Sequence, residues 1–462
     1  MSRKLIGTNF EVDPPLPRAE EDYVFGSESA SKELAYIGRI AERRDYYRKA
    51  LFDVDKAKVV AILGKRGSGK SYTLGVLMEC LTSKSNQVSN LSHRPAVVLL
   101  DTLNIFWTCV FAPSPKMEHD SVRKQLENLK IWELPPEKLS DVNILIPAGF
   151  RTTSTPSMAK EFYIETSEIF PQDWAFLLGL DLFRDPMWQL LNTAFEKVTD
   201  EGWTRRGKRI LPQEKYAVSD LIDCILHDKE ISSKRFGFHV NVRRALASKL
   251  KSIQQYPLFS IKGTEMADLI KPGNLAILLL ADVPSDIRCV IASILFRKLL
   301  ALRRTSSLLK KRQIVGDIKE HLGMSILPSL WVMVDEAQNI VPAESLSISS
   351  PSLVELVRVG RNFDISVAFT TQQPAAIDQR IMAQVDTLIV HKLTVATDID
   401  KILKNSKTAP PEKVSYGKIV LQTPSLFRTL PIGYAIISNE SAPREFIMQV
   451  RERVTVHGGF EV

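Results

Sequence analysis

Continuous apolar runs alternate along this chain with segments of helical periodicity. Val59-Val60-Ala61-Ile62-Leu63 ends at a glycine, and comparable runs recur at Ala96–Leu100, Leu275–Ala281, Leu330–Val334, Ile365–Thr371, Thr387–Leu393 and Ile432–Ile437. A run apolar at nearly every position suits a strand covered on both faces of a parallel sheet. Most of the intervals between these runs are long enough for a helix. The alternation predicts an α/β fold built on a mostly parallel sheet with right-handed crossovers.

Two stretches depart from that pattern. Residues 1–57 are polar and charged, with a proline-rich start (Pro14, Pro15, Pro17), and the apolar spacing over Ser29–Lys49 suits a helix, so an arm and a helix are expected there. The interval 111–271 is too long to be a loop and shows no comparable β run. Its Trp174–Leu180, Asp185–Val198, Leu221–His227 and Val242–Gln254 segments are helical in period, which predicts a mainly helical insertion. The expected core is then residues 58–110 together with 272–462.

The first apolar run leads into Gly64-Lys65-Arg66-Gly67-Ser68-Gly69-Lys70-Ser71, a match to G-x-x-x-x-G-K-[ST], and Tyr72–Leu81 after it reads as a helix. A glycine-rich turn matching by accident is the bland alternative, and the strand before and helix after oppose it. Gly64, Gly67 and Gly69 let the backbone wrap closely around phosphates, so that the N–H groups of Ser68, Lys70, Ser71 and Tyr72 at the helix start face the anion. Lys70 is expected to reach the β- and γ-phosphates of ATP, and Ser71 to ligate Mg²⁺.

Leu330–Val334 ends in Asp335-Glu336, two carboxylates at the carboxyl edge of a strand, where open α/β sheets bind ligands. Asp335 suits a role in holding Mg²⁺ and Glu336 a role as general base for an attacking water. The run Val367-Ala368-Phe369-Thr370-Thr371 ends in Gln372, whose amide suits a contact to the γ-phosphate or the lytic water. An ordinary strand-to-loop transition is the alternative for each of these.

Composition narrows the class without naming a partner. Hydrophobic residues make up 44% and charged residues 25% of 462, with 21 glycines and 25 prolines, which excludes disordered and fibrous classes. Cys80, Cys109, Cys224 and Cys289 are far apart and have no zinc-like spacing, and no apolar run is long enough to span a bilayer, so a cytoplasmic protein is expected. The net charge of +8 is concentrated. Residues 201–262 hold 13 Lys/Arg against 6 Asp/Glu, and residues 297–320 hold 8 against 2. Clustered basic charge suits contact with a nucleic-acid backbone, or else a solvated helix face or an acidic protein partner.

These blocks together resemble the HerA/FtsK group of ring-forming P-loop translocases, most closely its HerA-like branch. The resemblance is carried by Ala61–Ser71, Val98–Asp101, Pro272-Gly273, Val334–Ala337, Arg358-Val-Gly-Arg361, Thr370–Pro374 and the closing Leu430-Pro-Ile-Gly433. It implies a RecA-like ATPase core with a helical insertion, assembled as a homo-hexamer around double-stranded DNA. It also implies a partner nuclease or other effector, in DNA repair or in defence against foreign DNA. Arg358 and Arg361 are the candidates for an arginine that stabilises the transition state, in some members across the subunit interface. Members usually carry an N-terminal β-barrel, which residues 1–57 do not resemble; an absent or vestigial barrel is expected. A nucleotide-binding scaffold, or a signalling ATPase that organises an effector without translocating, is the alternative.

Overall fold

The apolar runs assemble side by side in the computed structural model, which describes residues 10–17, 22–27, 31–45, 48–233, 237–317, 326–341 and 347–459. In spatial order, strands Lys160–Phe162, Val142–Pro147, Leu275–Leu279, Ala96–Asp101, Leu330–Val334, Ile365–Thr371, Val59–Leu63 and Thr387–Val390 form a block in which each neighbouring pair is parallel. Every residue of Val59–Leu63, Ala96–Asp101, Leu275–Leu279, Leu330–Val334 and Ile365–Thr371 is buried. This explains the unbroken apolar runs: with helices on both faces, neither side of these strands meets water. The α/β expectation and the mostly parallel sheet therefore hold.

Beyond Thr387–Val390 the sheet continues antiparallel through Tyr434–Asn439 and Phe446–Val450, then through Leu34–Ile40 and Lys49–Asp53. The last two correct the helix expected over Ser29–Lys49. Leu34-Ala-Tyr-Ile-Gly-Arg-Ile40 is rich in β-branched and aromatic side chains, and a register shift between Tyr36 and Gly38 breaks the strict alternation that would have marked it as a strand. The N-terminal residues thus extend the main sheet.

A second correction concerns the insertion. Val142–Pro147, inside the interval read as lacking a β run, is a strand of the main sheet and pairs in parallel with Leu275–Leu279. Its half-buried Val142 and Asn143 and its closing proline shorten the apolar stretch below what the pattern detects. The helical periodicity farther on is realised in Pro171–Leu177, Pro186–Glu196, Val218–His227 and Val240–Gln254. The expected Ile432–Ile437 run starts later, at Tyr434, because Gly433 adopts φ +82° in a turn that leaves Ile432 exposed.

Helix Ser285–Ile314 joins the inserted helices to the core, and part of the basic block it carries is used for that purpose. Arg297 forms a two-pronged pair with Asp173 (3.0 and 2.6 Å), Lys298 pairs with Glu168, and buried Arg303 bonds Asp364 (3.0 Å) and the carbonyl of Phe363 (3.0 Å). Arg304, Lys310 and Lys311 remain exposed. The four cysteines are buried free thiols. Among the described residues no helix is long and apolar enough to cross a membrane.

Candidate nucleotide site

The carboxyl ends of Val59–Leu63, Leu330–Val334 and Ile365–Thr371, neighbours or next neighbours in the sheet, bring together residues distant in sequence. Leu63 leads directly into the glycine-rich loop, whose first amide, Gly64 N–H, donates to the Thr371 carbonyl (3.3 Å). Gly67 and Gly69 sit at φ +71° and +109°, left-handed conformations that a side chain would oppose. Ser68 closes the loop through its hydroxyl and its amide, both donating to the Lys65 carbonyl (2.7 and 3.2 Å). Gly433 of the closing segment lies against the loop, its amide donating to the Ser68 carbonyl (3.4 Å). Helix Lys70–Thr82 begins where the loop ends, so its free N–H groups form the floor of an anion site.

Lys70 is only 4% exposed. Its ammonium donates to the Lys65 carbonyl (3.3 Å) and pairs with Glu336 Oε1 (3.4 Å). Burial pushes its amine below the ordinary lysine range, opposed by the Glu336 charge. The Ser71 hydroxyl donates to Asp335 Oδ1 at 2.9 Å, joining the start of the helix to the acidic strand end. Tyr72 turns its side chain elsewhere: its hydroxyl bonds Glu452 (2.7 Å) and accepts the Arg453 amide (2.8 Å), so only its backbone belongs to the phosphate loop.

Asp335 is fully buried. Its Oδ1 accepts from Ser71 and from the Thr370 hydroxyl (2.8 Å), while its Oδ2 is buried without a partner among the described residues. Burial pushes this carboxyl up to about 6 in spite of the hydrogen bonds from Thr370 and Ser71. An acid so placed, beside the Ser71 hydroxyl and with one oxygen unsatisfied, fits a divalent cation. Asp101, on the neighbouring strand, is pushed up to about 7 by burial and then by the Asp335 charge, and its two oxygens hold the amides of Leu103 (3.1 Å) and Phe106 (2.8 Å).

Glu336 adopts φ 50°, ψ 63°, a left-handed conformation uncommon outside glycine. The Thr370 hydroxyl accepts its amide at 2.7 Å while donating to Asp335, so a single side chain fixes both acidic residues. The Glu336 carboxylate receives Gln372 Nε2 on Oε1 (2.7 Å) and Gln338 Nε2 on Oε2 (2.6 Å). Lys70, Ser71, Asp335, Glu336 and Gln372, predicted separately, therefore converge.

Thr370, Gln338 and His391 were not predicted. Thr370 sits inside the quoted Thr370–Pro374 block and Gln338 directly after Val334–Ala337, each two residues from a predicted one. His391 has no local signal. It follows the Thr387–Val390 strand, with Nδ1 facing the Tyr434 carbonyl (2.9 Å) and Nε2 facing the Thr73 hydroxyl (2.8 Å). Burial pushes its imidazole down to about 4, so it supports the P-loop helix as a neutral ring.

The two arginines are not at this site. Arg361 precedes the Ile365–Thr371 strand and is held by Asp386 (2.9 Å) and the Gln384 carbonyl, at the amino ends of the strands. Arg358 is exposed on the last turn of Ser349–Val359. A strand of this length places them roughly 20 Å from the phosphate loop of their own chain.

Comparison with known proteins agrees with this architecture. Residues 35–299 match the family described as Helicase HerA, central domain. That span begins in strand Leu34–Ile40 and ends in helix Ser285–Ile314, so the acidic and Gln372 strand ends lie beyond it. The DNA double-strand break repair helicase HerA of Pyrococcus furiosus is 20% identical over 422 residues, covering 87% of this chain and 69% of that protein. The protein of the same name from Sulfurisphaera tokodaii is 25% identical over 142 residues, 31% of this chain and only 26% of its own length. VirB4 of Thermoanaerobacter pseudethanolicus superposes with a TM-score of 0.51 at 12% identity, over 92% of this chain and 98% of that chain, which shows a shared fold. With more than half of its length matched by the family's central domain, and the phosphate loop inside the match, the chain belongs to the HerA helicase family.

Proposed function

We propose that this chain is a cytoplasmic, Mg²⁺-dependent ATPase that assembles as a homo-hexameric ring and translocates double-stranded DNA for a partner nuclease or other effector. The convergence of Lys70, Ser71, Asp335, Glu336 and Gln372 on one sheet edge carries the catalytic part of this reading. The loop amides and Lys70 bind and orient the β- and γ-phosphates of ATP. Ser71 and Asp335 would hold Mg²⁺, which when bound offsets phosphate charge. Glu336 takes a proton from the attacking water, and Gln372, already within reach of Glu336, senses the γ-phosphate. Likeness to helicases named for DNA double-strand break repair supports DNA as the substrate.

Arg358 and Arg361 can act only on a neighbouring subunit's nucleotide, since both sit at the far edge of their own sheet. Arg361 is occupied by Asp386, whereas Arg358 is exposed, which favours Arg358 as the residue supplied in trans. Hydrolysis would then require assembly.

A second reading, a nucleotide-binding scaffold for an effector, is favoured by one observation: Arg297, Lys298 and Arg303 of the basic block are spent on internal bonds rather than left for a DNA backbone. ATP hydrolysis measured with and without duplex DNA over a salt series separates the two. The translocase reading expects stimulation by DNA that falls steeply with salt. A rate indifferent to DNA, with the partner effector present, would leave the scaffold.

A further inference from the structure

The Glu336 carboxylate is held by three donors from three different elements, and they are not equivalent. Lys70 (3.4 Å) and Gln372 (2.7 Å) share Oε1, and both stand where a bound triphosphate competes for them. Among the described residues Gln338 alone holds Oε2, at 2.6 Å, from the short turn that Glu336 itself begins. The rest of the Gln338 amide is unsatisfied: its Oε1 is buried and has no partner among the described residues. A buried amide oxygen without a donor is costly, and a native protein that retains one commonly does so for a function. The amide is thus placed for a single contact, the Glu336 carboxylate. The Thr370 hydroxyl accepts the Glu336 amide and fixes its left-handed backbone, so the plane of the carboxylate is set by side-chain contacts.

We propose that Gln338 is a positioning residue for Glu336. When phosphates draw Lys70 and Gln372 away from Oε1, the Gln338 amide keeps its hold on Oε2 and fixes the plane of the carboxylate, so that the released Oε1 receives the proton of the attacking water. Gln338 touches neither nucleotide nor water and acts only through Glu336. The inference rests on the reading of Glu336 as general base.

The test is a double-mutant cycle on the full chain, with single-turnover ATP hydrolysis and nucleotide affinity as readouts. Gln338→Met, close in shape but without a donor, is expected to lower kcat about 10- to 100-fold, the loss of one hydrogen bond to a charged group, while KM and nucleotide affinity stay within about twofold. Gln338→His restores a ring N–H donor and is expected to recover much of the loss. In the Glu336→Gln background, Gln338→Met is expected to change the residual rate by less than about twofold, because no carboxylate is left to orient. Gln338→Leu, made in parallel, preserves the comparison if the methionine variant does not fold. A wild-type rate in Gln338→Met, or an equal loss in both backgrounds, overturns the positioning role. Normal turnover in Glu336→Gln alone sinks the general-base reading instead, whatever Gln338 does.

Discussion

Among the buried carboxylates that touch the P-loop helix, Glu79 and Asp335 have opposite surroundings. Glu79, within the helix, is fully buried and accepts from Arg451 (2.9 Å), Arg453 (3.1 Å), the amides of Val454 and Thr455 (both 3.1 Å) and the Thr455 hydroxyl (2.7 Å). Asp335, bonded to the helix start through Ser71, accepts two hydroxyls on one oxygen and, among the described residues, nothing on the other. Burial alone would raise both acids. At Glu79 the Arg451 and Arg453 charges and the hydrogen bonds overcome burial and hold the carboxyl below its ordinary value, whereas at Asp335 burial wins. A filled shell of donors fixes a backbone, and here it ties residues 451–455 to the P-loop helix. An unfilled shell leaves room for a cation and a phosphate, which is why the unsatisfied acid marks the site and the satisfied one marks the frame.

The comparison can be broken most directly at the site. Glu336→Gln is expected to lower ATP turnover by about 10²- to 10⁴-fold while ATP binding persists, the range for losing a general base, as followed by phosphate release and calorimetry. On the frame, Glu79→Gln strands two buried guanidinium groups and is expected to cost about 3–5 kcal/mol of unfolding free energy by urea denaturation. A cost under about 1 kcal/mol would show that the saturated shell is not what holds residues 451–455 to the helix.

The smallest effect concerns pH. Asp101 has a folded value of about 7, above its ordinary 3.8, so the native state binds its proton more tightly than the unfolded chain does. Its contribution to stability is complete below the ordinary value and is lost as pH rises through about 7. Asp101→Asn is expected to make nucleotide-free stability less dependent on pH across that window, by up to about 1.4 kcal/mol per pH unit, measured as denaturation midpoints from pH 4.5 to 8.

Much of the fold was legible because the central strands are buried on both faces and so are apolar at every position. The elements misread were those that break this rule. Leu34–Ile40 carries a register shift and a mix of residues that imitates a helical spacing, and Val142–Pro147 is half-buried where it starts. The phosphate loop and the Asp335-Glu336 pair were legible because each motif carries its own geometry. Thr370 lies within a quoted segment and Gln338 directly after one, but nothing local says that a Thr two residues before Gln372 bonds both acids, or that an amide two residues after Glu336 turns back on it.

By itself the sequence determined the class of fold, the glycine-rich loop and the candidate residues at the strand ends, since strand burial and a glycine-rich turn into a helix are written in local residue order. Tertiary structure alone decided how those groups satisfy one another. The edge of the sheet brings Gln372 to Glu336 across hydrogen-bonded strands and Asp335 to Ser71 at the start of the P-loop helix, leaves Arg358 and Arg361 at the opposite edge, and commits Arg297 and Arg303 to internal pairs. Whether a buried charge is saturated or left open depends on partners hundreds of residues away, and only folding brings them within hydrogen-bonding distance.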